Sequence, residues 1–194
     1  MNRTDALYQS CLEILREELV PAMGCTEPIA IAYAAAQARA VLGRRPERVR
    51  IEVSGNIIKN VKSVIVPHTG HLKGIPAAAA AGIVAGDAEK KLEVISYVKE
   101  EQVEEIKQFL EQTPITVEHL ESGITFDIEV TVHAGADSAK VRIANYHTNI
   151  VRIEKNGEIL KNIPVSGEEE NNLTDRSLLD MEHIWDFINT VDVE

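Results

Sequence analysis

The segment IAIAYAAAQARAVL, residues 29 to 42, is apolar on nearly every side of a helix. A helix with no polar face has to be buried on several sides at once, so this chain must fold around it. Thr26 is a good N-cap ahead of it, Glu27 suits the positive end of the helix dipole, and Pro28 is tolerated in a first turn. Gly43 supplies a C-terminal stop. A second Ala-rich helix is expected from Pro76 to about Ala85, stopped by Gly86.

Around these helices the pattern divides. Residues 4 to 19 carry Leu7, Cys11, Leu15 and Leu19 at four-residue spacing, one stripe of a helix that Pro21 ends. RVRIEVSG (48 to 55) alternates Val49, Ile51 and Val53 with charged residues, as a half-buried strand does. NIIKNVKSVIVP fits either a short helix or a second strand, HTGHLKGIP (68 to 76) is a loop, and VISYV fits a strand. KEEQVEEIKQFLEQ places Val103, Ile106 and Leu110 on one face of an exposed helix closed by Pro114. From 115 to 161 the period changes to two: ITVEHL, TFDIEVTVHA, AKVRIANYH and NIVRIEK read as strands, and Asn156-Gly157 signals a hairpin before EIL. In the tail, Thr174 is expected to cap a helix carrying Leu178, Met181, Trp185 and Ile188. That helix reaches the chain end without a cap, as expected of a fragment or split gene product.

The fold class is therefore α+β: Ala-rich helices packed on a mostly antiparallel sheet, with a C-terminal helix directed to a further body. Residues 1–167 are expected to form one domain and residues 168–194 a connector.

The net charge of −11 argues against a nucleic-acid or anionic-membrane partner. The acids gather at 99–111 and 168–170, both read as solvated. No apolar run approaches the ~18 residues that would suggest a membrane span. Met1-Asn2-Arg3 leads directly into an amphipathic segment, so no signal peptide is expected, and two cysteines make no disulfide framework. A cytoplasmic, reducing setting follows as the expectation. Cys11, on the helical stripe, reads as a small core hydrophobe.

Cys25 is different. It lies just ahead of a helix start, where unpaired N–H groups favour thiolate, so it is a candidate nucleophile or metal ligand as well as a structural thiol. Ser54, Asn56, Lys59 and Asn60 follow a strand end, where polar groups gather around ligands; a local turn is the alternative. Lys59 would pair with a substrate carboxylate. Thr69 and Gly70 precede a helix N-terminus, a place for a carboxylate. His68 and His71 form an H-x-x-H without an adjacent third ligand, a weak zinc pattern. His147, Thr148 and Asn149 are expected to open a strand, with His147 either a proton acceptor or a strand-edge residue. His119, His133 and His183 have no comparable context.

PAMGCTEPIAIAYAAA, VSGNIIKN, HTGHLKGIPAAAAAG and HTNIVRIEKNGEIL, in that order, resemble the L-cysteine desulfidase family, related to the alpha part of iron–sulfur L-serine dehydratases. The resemblance implies β-elimination from L-cysteine or L-serine, with Cys25 as one of three cysteines holding a [4Fe-4S] cluster. It also implies a substrate site including Thr26, Ser54, Asn56, Asn60, Thr69, Gly70, Thr148 and Asn149, with Lys59 and His147 as catalytic residues. The family's other two cluster cysteines lie in a C-terminal helical region absent from this sequence. The resemblance therefore implies a missing domain as partner and no cluster on this chain alone. Serine dehydration and a non-catalytic amino-acid-binding or regulatory role stand as alternatives, and a homo-oligomer stays open.

Overall fold

The computed structural model describes residues 1–19, 21–165 and 174–192. The acidic stretch 168–170 lies outside them. The chain divides into two compact units, Pro21–Gly167 and a second made of Met1–Val20 with Glu168–Glu194. The first helical stretch, placed by the sequence reading with the large domain, thus groups with the tail.

In the larger unit, α2 (Thr26–Leu42), α3 (Gly55–Val61), α4 (Gly74–Ala85) and α5 (Glu100–Gln112) accompany six strands. These are β1 (Arg48–Val53), β2 (Ile115–His119), β3 (Asp127–Ala134), β4 (Asp137–Ala144), β5 (Ile150–Lys155) and β6 (Glu158–Asn162), in sheet order β2-β1-β3-β4-β5-β6. Only β1 and β2 pair in parallel, and the helices α3 to α5 occupy the crossover between them. The other neighbours are antiparallel, and the fold is α+β as expected. Asn156 and Gly157 both take positive φ (51° and 82°) and close the β5–β6 hairpin.

The all-round apolarity of α2 has a direct cause. One side packs on β3 and β4, another on α4 and a third on the short 3-10 turn Ala88–Glu93. α4 is in turn held between α2 and α5. The two Ala-rich helices meet where Gly82 faces the Ala32 carbonyl: a Cβ at Gly82 would lie 2.0 Å from that oxygen. Ala and Gly are used here because the axes come too close for larger side chains. Gly43 caps α2 in the left-handed region at φ 85°.

Several local expectations change. NIIKNV is helical, as α3. VISYV is not a strand: it is a turn ahead of α5, with Val94 and Ile95 buried in the core. α4 begins at Gly74, two residues before Pro76.

The smaller unit holds α1 (Ala6–Glu18) and α6 (Met181–Thr190). Its core cluster is Tyr8, Cys11 and Phe187, with the rings of Tyr8 and Phe187 5.2 Å apart. The expected stripe is rotated: Tyr8, Cys11 and Ile14 are buried, whereas Leu15 and Leu19 are exposed. α6 starts at Met181 with Asp180 as N-cap, its side chain accepting from the His183 N–H at 2.7 Å. Thr174 does not cap it; its N–H and hydroxyl both donate to Glu17 Oε1, at 2.9 and 2.8 Å. An N-cap hydroxyl accepts from helix N–H groups, whereas here the Thr174 hydroxyl is tied as a donor to Glu17 of α1.

Candidate functional site

The N-terminus of α2, the α3 helix and the β4–β5 turn converge at one end of the sheet. Cys25, not Thr26, is the N-cap residue of α2 (φ −62°, ψ 122°), and Thr26 is the first helical residue. The Cys25 side chain makes no cap hydrogen bond; its thiol donates instead to Glu27 Oε2 at 3.2 Å. The other oxygen of Glu27 accepts from Asn60 Nδ2 of α3 at 3.4 Å. His147 faces the same carboxylate electrostatically, and its ring packs on Phe126 with centroids 4.4 Å apart. Gly24, at φ 106°, lets the GCTEP segment run against the next loop: a Cβ there would lie 3.3 Å from Pro67 Cγ. Residues from three separate sequence blocks thus meet around one carboxylate.

The charges of the cluster are set by that meeting. Cys25 is exposed as a residue, yet partial desolvation first, and the Glu27 carboxylate second, push its thiol above the ordinary range. The sequence expectation of a thiolate-favouring helix mouth therefore fails here, because partial burial of the thiol, and the carboxylate beside it, outweigh the field of the helix N-terminus. Burial opposes ionisation of Glu27, but hydrogen bonds from the Cys25 thiol, its own N–H and Asn60, together with His147, hold its carboxyl below the usual range. Burial pushes the His147 imidazole down, and Glu27 pulls it partly back. A neutral imidazole beside a carboxylate can accept a proton near neutrality.

The remaining candidates divide. Asn60 belongs to the cluster; Lys59, one residue before it on α3, is exposed. His147, Thr148 and Asn149 lie in the turn between β4 and β5 and do not open a strand, since Ile150 is the first paired residue. Asn149 holds that turn by donating from Nδ2 to the Ala144 carbonyl at 2.9 Å. Ser54 is buried, and its hydroxyl donates to the Thr125 carbonyl at 2.7 Å. Thr69 is fully buried, with its hydroxyl on the Val66 carbonyl at 2.8 Å. Gly70 has φ 65°, and a Cβ there would come within 2.9 Å of Val103 Cγ1. Those groups shape the loop and the strand end; their polar atoms are already engaged. Asn56 lines a separate cleft with Ser54, His119 and Glu121. His68 and His71 are exposed at positive φ, and among the described residues no group of three His, Cys, Asp or Glu could hold a metal ion.

Glu27 is the residue sequence reasoning missed. From the sequence alone it is only a favourable charge at a helix end. The available signal was its place two residues after Cys25 on a helix whose other faces are apolar, which leaves its carboxylate few directions to take.

A [4Fe-4S] cluster does not fit the donor set of this chain alone. Cys25 offers one thiol, whereas Cys11 is buried against Tyr8 and Phe187 in the smaller unit. Any such cluster would need thiolates from elsewhere.

No family model matches the chain. It is 54% identical over 194 residues to a "UPF0597 protein" of Desulfitobacterium hafniense (strain Y51), a match taking in 100% of this chain and 45% of the relative. A "UPF0597 protein" of Treponema denticola is 43% identical over 195 residues, covering 100% of this chain and 45% of the relative. Another, from Lachnoclostridium phytofermentans, is 45% identical over 188 residues, with 97% of this chain and 45% of the relative covered. The chain spans less than half the length of these curated relatives. None of the three is named as a cysteine desulfidase or a serine dehydratase, and their shared name states no activity.

Proposed function

We propose that this chain is the substrate-handling part of an amino-acid β-lyase, most like an iron–sulfur L-cysteine desulfidase, whose whole polypeptide has the length of the curated relatives. One observation carries the reading: Cys25, Asn60 and His147, from three of the blocks that resemble the desulfidase family, surround the single carboxylate of Glu27. In β-elimination a base takes the α-proton, the Cα–H electron pair forms the Cα=Cβ bond, and the β-substituent leaves with the electron pair of its bond. Aminoacrylate then hydrolyses to pyruvate and ammonia, with sulfide released when the substrate is L-cysteine. His147 is the proton acceptor in this account, kept neutral by burial and aimed by its packing on Phe126. Glu27 fixes Asn60 and the Cys25 thiol on its two oxygens. Lys59, exposed on the same helix as Asn60, is assigned the substrate carboxylate in this account.

L-Serine is the alternative substrate, since hydroxide replaces hydrosulfide as leaving group without altering the role of His147. His147→Gln, in a protein of the relatives' full length carrying this sequence, is expected to lower turnover at least tenfold with ligand affinity retained. Unchanged turnover would return His147 to a purely structural place in the β4–β5 turn. Binding of amino acid by the unmodified full-length protein without any product would favour a binding or regulatory role.

A further inference from the structure

The smaller unit is half of something. Among the described residues its core is Tyr8, Cys11 and Phe187 with five partly buried apolar side chains packed against them, little for a pair of helices to stand alone on, since bodies below ~40–50 residues rarely bury enough surface without help. The same unit carries apolar residues that point away from that cluster. Along α6, Met181, Ile184, Trp185 and Ile188 recur at the helical spacing, with Met181 80%, Trp185 68% and Ile188 53% exposed. Leu19, at the end of α1, is 71% exposed. Isolated exposed apolar side chains are ordinary on protein surfaces, but a stripe of this size along one helix is not. Asp180 and Glu182 border the stripe at the start of α6.

We propose that this face is the docking seat for the polypeptide by which the curated relatives exceed this chain. Two facts select that occupant. The relatives are similar along the whole of this chain, which nevertheless accounts for only 45% of their length, so more than half of each relative lies outside the match. The unit bearing the stripe is also the one whose own core is incomplete. The occupant's contact surface is apolar, to cover Met181, Trp185 and Ile188, and is rimmed by Lys or Arg opposite Asp180 and Glu182. Docking would complete the small core, as a helix pair becomes part of a larger bundle. The inference is independent of the lyase chemistry.

Trp185 is the chain's single tryptophan, which makes the test direct. The chain, labelled with 5-fluorotryptophan, is mixed with the separately produced part of the Desulfitobacterium relative that lies outside the match. Co-elution, a shifted fluorine resonance and loss of its solvent accessibility are expected. Met181→Asp with Ile188→Asp is expected to weaken the complex at least tenfold while the helix content of the chain alone is unchanged. In the unmixed chain, α6 amides are expected to exchange within minutes, as in a half-built core. A complex in which Trp185 stays accessible would overturn the proposal, as would two folded pieces that do not associate. Trp185 already shielded in the unmixed chain, by a second copy or by the larger unit, would overturn it too.

Discussion

Cys25 donates its thiol proton to Glu27 across 3.2 Å, so the residue at the mouth of α2 is governed by a carboxylate and not by the helix dipole alone. The same carboxylate reaches Asn60 and the field of His147. Changing it should therefore move groups from separate parts of the chain together.

Glu27→Gln removes the charge that pulls the His147 imidazole upward while leaving the burial that pushes it downward. The sign follows: the His147 titration midpoint should fall further below the ordinary histidine value in the variant. The thiol of Cys25 should become easier to ionise, so alkylation by iodoacetamide at mildly alkaline pH should accelerate several-fold. Histidine ring resonances followed against pH, with alkylation rates alongside, check both. A His147 midpoint that does not move would separate it from Glu27.

Asp127 is fully buried and takes a bidentate pair from Arg142, Nε to Oδ1 at 2.9 Å and Nη2 to Oδ2 at 2.7 Å. Arg142 keeps partial access to solvent. Arg142→Met strands a buried carboxylate and should cost about 3–5 kcal/mol, whereas Asp127→Ala, leaving a cation that can turn to water, should cost about 2 kcal/mol. Urea unfolding of the two variants measures the order; the reverse order would contradict this burial asymmetry.

Gly82→Ala places a methyl group where the Ala32 carbonyl already stands, 2.0 Å away. The α2–α4 interface must then open, and a loss of about 3 kcal/mol or more is expected. Gly123→Ala meets nothing within 4 Å and, apart from a positive φ of 76°, should be the mild control. Thermal melts of both proteins compare them directly.

Thr69→Val leaves a shape-matched side chain but removes the hydroxyl that donates to Val66 in a fully buried setting. A loss of about 1 kcal/mol is expected, with amino-acid binding unaffected. Weakened binding at unchanged stability would put Thr69 back among the substrate contacts.

The large elements were legible because their signals are local. Alternation at Val49, Ile51 and Val53, the Asn156-Gly157 pair and the apolar run of α2 each depend on periodicity or turn chemistry alone. Helix, strand and hairpin followed from them. The failures depended on neighbours distant in the chain. VISYV has strand composition but forms a turn that sinks Val94 and Ile95 into the core. Thr174 is a good cap by type, yet Glu17 took its hydroxyl across the small unit. The α1 stripe rotated because Phe187 met Tyr8 and Cys11 and not Leu15. At the site, a thiol and a histidine are nominated by their blocks, whereas the carboxylate between them is legible only as a charge at a helix start, because its contacts depend on how α2, α3 and the β4–β5 turn are brought together.

The most direct measurement is anaerobic. A protein of the relatives' full length carrying this sequence is supplied with iron and sulfide, freed of the excess, and assayed for sulfide from L-cysteine and pyruvate from L-serine. The account expects sulfide release that disappears in Cys25→Ser. A protein shown to carry its cluster that yields neither product, or a Cys25→Ser variant with undiminished sulfide release, would contradict it.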